Sequence, residues 1–136
     1  MSKQQPARFH KLCLIFAGGA LGTGARFGLI LLSGAEADRV YWVILAENLS
    51  GSFLLGYVSA RLRMVMLKAS PWAPFLGTGV LGSFTSFSAF SLDILNTAAV
   101  SFWMMSFYIL SSFLGGITAV LFGLRLGLKQ GRKIQK

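Results

Sequence analysis

Residues 77–91 read GTGVLGSFTSFSAFS, with three glycines, two threonines and four serines inside an apolar run spanning residues 72–97. Glycine weakens a helix, and Ser and Thr hydroxyls compete for backbone hydrogen bonds. The pattern predicts a helix broken near its middle, around Gly82 to Thr85. Interrupted backbone at membrane depth is tolerated only where protein or a watery cavity covers it. Carbonyls released at such a break can hold a hard cation such as Na⁺. Close packing of small residues between helices accounts for the same composition without a break. Phe84, Phe87 and Phe90 recur every three residues, along one helical stripe. Such a stripe ordinarily faces lipid or core, but ring edges are also positive enough to face an anion. The interleaved hydroxyls of Ser86, Ser88 and Ser91 can donate to that anion.

Working outward, three more apolar runs cover residues 12–32, 41–60 and 101–124. Each has roughly the 20 residues that cross a hydrocarbon core of about 30 Å. Connections are short, at 33–40, 61–71 and 98–100. Over 136 residues the chain is 54% hydrophobic and 12% charged, with a mean hydropathy of +0.66. Soluble domains carry about 25% charged residues, so this chain cannot cover a water-facing surface. The expectation is an all-α membrane protein of four transmembrane helices, residues 1–136 forming a single domain. An enzyme is not expected. One cysteine (Cys13), one histidine (His10) and the acids Glu36, Asp38, Glu47 and Asp93 leave few parts for hydrolytic or metal chemistry.

The net charge of +9 would suggest nucleic acid in a soluble protein, but here the basic residues flank apolar runs. No nucleic-acid partner is expected; the partner is the lipid bilayer. With four spans, Lys3, Arg8, Lys11, Arg61, Arg63, Lys68, Arg125, Lys129, Arg132, Lys133 and Lys136 share one side. Arg39 stands opposite, beside Glu36 and Asp38, and Arg26 lies within the first span. Eleven basic residues against one place both termini in the cytoplasm of a multi-pass protein of the cell membrane.

The run GVLGSFTSFSAFSLD (residues 79–93) resembles the third-helix signature of the CrcB/Fluc fluoride channels, close to G-x-x-G-G-x-T-T-F-S-T-F-S-x-E. GGALGTGARFGL (18–29) and ENLSGSFLLG (47–56) resemble the family's first and second helices. The resemblance implies an antiparallel dimer of four-helix subunits, fluoride passing along two pores at the interface, and export that lowers fluoride toxicity. It implies a structural Na⁺ at the dimer centre, held by the carbonyls of Gly82 and Thr85. It places Phe87 and Phe90 along the pore and gives Asn48 an amide that donates to fluoride. Ser88, Tyr108 and Ser112 join that pathway. Arg26 matches the family's first-helix arginine, and Asp93 the acid that closes the third-helix motif, usually glutamate.

Two departures stand out. The family's fourth-helix hydroxyl track reads Tyr108, Ser112, Gly116 and Val120 here, so its last two donors are lost. Glu47 replaces a usual aliphatic residue, and a carboxylate in the bilayer is costly. Arg26 and Glu47 each lie about six residues, or roughly 9 Å, below the non-cytoplasmic ends of their runs. They are expected either to form an ion pair in a wet vestibule or to leave Glu47 snorkelling to water. The charge bias predicts one insertion direction, so the antiparallel mate is expected to be a paralogous subunit. Two other readings stay open: a small multidrug-type, proton-coupled exporter using Glu47, and a non-conducting partner subunit.

Overall fold

The computed structural model describes residues 5–36, 39–65 and 72–134. Lys3, Asp38, Lys68 and Lys136 lie outside the described residues. Helix α1 is Gln5–Ser33 and α2 is Val40–Val65. A π-helical segment, Pro74–Leu81, runs into the short turn α3, Gly82–Phe84; α4 (Phe87–Val100) and α5 (Phe102–Ile134) follow. Among the described residues, four helical stretches are long and apolar enough to cross a membrane: Phe9–Ser33, Val40–Leu62, Pro74–Val100 and Phe102–Gly131.

The helix ends follow local chemistry. Gly34, at φ 57°, closes α1 in the left-handed conformation that only glycine adopts freely. Between α4 and α5 the sequence suggests a loop at 98–100, but α4 continues through Val100 and only Ser101 is extended. Ser101 serves both helices: its N–H donates to the Thr97 carbonyl at 3.0 Å, and its Oγ accepts from the Trp103 N–H at 3.2 Å. α5 continues past the expected end at residue 124 to Ile134. Its last turns contain leucine, lysine, arginine and glutamine, all good helix formers.

The third span is interrupted as its composition suggests. Pro74 starts the π segment, where its missing N–H costs nothing. The Gly82 N–H reaches the Gly77 carbonyl five residues back. The Thr85 N–H and Oγ1 both turn to the Leu81 carbonyl, each at 3.2 Å. Thr85 (φ −81°, ψ 147°) and Ser86 (φ −139°, ψ 114°) are extended, and the Ser86 hydroxyl caps α4 by accepting from the Ala89 N–H at 3.1 Å.

Glycines allow two close helix pairings. α1 lies on the π segment, where a Cβ on Gly18 would come 2.6 Å from the Phe75 carbonyl oxygen. α2 lies on α5, where a Cβ on Gly56 would meet the Val120 carbonyl and one on Gly123 the Phe53 carbonyl. Such backbone-to-backbone approach is how helices associate where lipid removes the hydrophobic drive. A small buried cluster joins Tyr41, Leu45, Phe90 and Tyr108, flanked by Leu49, Ile94, Met104 and Ile109. Meanwhile Phe16, Leu32 and Trp103 are 80% or more exposed. A water-soluble monomer rarely shows so much apolar surface, whereas hydrocarbon solvates it.

Candidate functional site

The break and its neighbours form an open groove of about 280 Å³. It is lined by Asn48, Ser52 and Leu55 of α2, Thr85 and Ser86 at the break, Phe87 and Phe90 of α4, and Ser112 and Phe113 of α5. Polar atoms therefore come from three spans, between aromatic rings.

Asn48 holds the break open. Its Oδ1 accepts from the Ser86 N–H at 3.0 Å, and its Nδ2 donates to the Ser86 carbonyl at 3.5 Å. In an unbroken helix the Ser86 N–H would bond the Gly82 carbonyl, and the Ala89 N–H would bond the Thr85 carbonyl. Asn48 takes the first donor and the Ser86 hydroxyl takes the second. The carbonyls of Gly82 and Thr85 have thus lost their helical donors, which fits them to a hard, oxygen-seeking cation.

Asn48, Phe87, Phe90 and Ser112 meet in the groove, and the Ser112 Oγ is buried with no hydrogen-bond partner. Phe87 stands at the rim, 77% exposed, its ring centre 5.7 Å from that of Phe90. Phe90 is buried, stacked on Tyr108 and meeting Phe113 edge-on. Ser88 is exposed beside Ser86 (Oγ to Oγ 3.1 Å) and does not line the groove. Tyr108 lies behind Phe90, 1% exposed, its hydroxyl donating to Asp93 Oδ2 at 2.8 Å. Ser91 donates its hydroxyl to the Phe87 carbonyl at 2.9 Å.

Glu47 does not snorkel to water, and it makes no direct bond with Arg26. It is 4% exposed, and both of its carboxylate oxygens and the Arg26 Nε are buried without hydrogen-bond partners. The physical reason is pairing: α1 rests on the π segment and α2 on α5, so the helices carrying these charges belong to different pairs.

Ser52 was not singled out by its sequence, although it lies one turn from Asn48 on the same face of α2. It lines the groove, and a Cβ on Gly116 would come 3.8 Å from its Oγ. A hydroxyl from α2 therefore stands beside one of the positions where α5 has lost its own.

The Asp93–Tyr108 bond gives a direct expectation. Tyr108→Phe removes the donor and leaves a buried carboxylate oxygen unsatisfied, at a cost of about 1.5–3 kcal/mol. Thermal unfolding of the detergent-purified protein should register this as a lowered midpoint, and an unchanged midpoint would contradict the assignment.

Fold and site together define a four-span helical membrane protein with an interrupted third span and a polar, aromatic groove beside the interruption. The family model described as CrcB-like protein, Camphor Resistance (CrcB), matches residues 13–124. The chain belongs to this family. It is 34% identical over 113 residues to the fluoride-specific ion channel FluC 1 of Mycolicibacterium paratuberculosis, covering 82% of this chain and 86% of that protein. It is 37% identical over 118 residues to the fluoride-specific ion channel FluC of Agrobacterium fabrum, covering 85% and 94%. With the FluC of Chlorobium phaeobacteroides it shares 33% over 122 residues, covering 89% and 95%.

Proposed function

We propose that this protein is a fluoride-selective channel subunit that lets fluoride leave the cytoplasm across the cell membrane. The observation that carries this reading is the groove, where a buried Ser112 hydroxyl without a partner faces the same space as the Asn48 amide and the Phe87 and Phe90 rings. Fluoride is small and strongly hydrated, so its path must supply replacement donors throughout. Hydroxyls, an amide and ring edges do so without a fixed cation that would trap the ion, which meets the need for sites that both admit and release. The relatives named as fluoride-specific channels support the choice of ion.

On this reading the groove is half of a path that an antiparallel second subunit completes. The carbonyls of Gly82 and Thr85 hold a structural Na⁺ at the dimer centre, supported by the loss of their helical donors to Ser86 and Asn48. The second subunit is a paralogue, because eleven basic residues against one favour a single insertion direction with both termini cytoplasmic. Reporter fusions at the C-terminus test the orientation: signal from the cytoplasmic face alone is expected, and equal signal from both faces would overturn the paralogue. Fluoride efflux measured against chloride tests the ion.

A further inference from the structure

Two glycines fix where Arg26 and Glu47 stand relative to each other. On α1, a Cβ added to Gly22 would come 3.1 Å from the Phe84 nitrogen. On α2, a Cβ added to Gly51 would come 3.1 Å from Phe84 Cδ1. The two helices therefore converge on Phe84, one against its backbone and the other against its ring. Arg26 follows Gly22 by four residues and Glu47 precedes Gly51 by four. Residues four apart share a helix face, so each charge lies one turn from Phe84 on the same face as its glycine. α1 and α2 are consecutive spans that run in opposite senses, which carries both steps toward the same membrane face.

The two charges thus reach one level, between helices that belong to different pairs. The Arg26 Nε and both Glu47 oxygens are buried with no hydrogen-bond partner. Buried charges of opposite sign that remain unsatisfied are expensive. A buried water typically makes two to four hydrogen bonds, and these three atoms offer a donor and two acceptors. Water bridges of this kind are nearly as favourable enthalpically as direct bonds.

We propose that Arg26 and Glu47 form a water-bridged ion pair one helical turn beyond Phe84, tying the α1–π-segment unit to the α2–α5 unit. Glu47 acts as a positioning residue: it neutralises Arg26 beside the interrupted span and holds the two helix pairs in register. This goes beyond the channel assignment and does not depend on which ion the groove carries.

Infrared difference spectra of the full-length protein in liposomes, wild type minus Glu47→Gln, report the state of this carboxyl group. The expected result is the band pair of an ionised carboxylate; the carbonyl band of a protonated acid would overturn the proposal. A thermal cycle adds the coupling. Glu47→Gln and Arg26→Gln are each expected to lower the midpoint by roughly 10 °C, while the double variant recovers more than half of the summed loss. Strictly additive losses would overturn it. If Arg26→Gln does not fold, the infrared result from the other two proteins decides. Fluoride efflux from the wild-type liposomes reads the channel assignment separately.

Discussion

Gly56→Leu is expected to abolish recovery of the folded protein. At Gly56, α2 lies directly on α5: an added Cβ would meet the Val120 carbonyl and come 3.0 Å from the Leu124 nitrogen. Both obstacles are backbone, so no side chain can swing aside and the helices must separate. The reciprocal contact at Gly123, whose Cβ would meet the Phe53 carbonyl, would be lost at the same time. Overpacking a core commonly costs about 1–3 kcal/mol and occasionally more. At about 3 kcal/mol the ratio of folded to unfolded protein falls roughly 100-fold. Size-exclusion chromatography after detergent extraction measures this as loss of the monodisperse peak. Gly24→Ala is the matched control, since nothing lies within 4 Å of its added Cβ, and it should elute as the wild type does. A Gly56→Leu protein that also did so would contradict the packing.

Asn48→Leu is expected to abolish fluoride flux. Its amide satisfies both the N–H and the carbonyl of Ser86, the extended residue of the break. Without it the Ser86 N–H is orphaned at membrane depth, a cost of about 1–3 kcal/mol, while the Ser86 carbonyl keeps the Phe90 N–H at 3.3 Å. The cheapest repair is to return the Ser86 N–H to the Gly82 carbonyl, which rebuilds a continuous helix and erases the groove wall. A shift of roughly 3 kcal/mol corresponds to about 100-fold less open form, and flux should fall accordingly. Asn48→Asp separates the two roles of this residue. It keeps an oxygen for the Ser86 N–H, so the break survives, but it places a negative charge in the groove and should still block an anion. Efflux rate and thermal midpoint measured together distinguish the variants: the aspartate protein should lose flux with its midpoint largely kept. Normal flux in Asn48→Leu would show that the break does not depend on this side chain.

The architecture was legible because it is written locally. Four apolar runs of spanning length, and a third run crowded with Gly, Ser and Thr, announce four helices with one interrupted. The exact site of the interruption was less so. The extended residues are Thr85, at the far edge of the expected window, and Ser86, one residue beyond it, because Asn48 from another helix captures the Ser86 N–H. Long-range contacts decide the site in the same way. Tyr108 and Asp93 stand seven residues after and eight before Ser101. A one-residue connection between antiparallel helices brings such positions together, but the connection was expected to be a loop. The hydroxyl of Tyr108 therefore bonds Asp93 behind Phe90 instead of facing the groove. Ser52 is not legible from the α5 hydroxyl pattern, because the hydroxyl beside Gly116 comes from α2. Counting residues from the ends of the apolar runs gives Arg26 and Glu47 equal depth, but depth says nothing about which helices pair.

The most direct measurement is fluoride efflux from liposomes carrying this purified chain, alone and together with a second CrcB-family subunit, with Na⁺ present and chloride-loaded liposomes as the control. The account predicts rapid efflux of fluoride and none of chloride once both subunits are present. No fluoride efflux under either condition, or equal efflux of chloride, would contradict a fluoride-selective path through the groove.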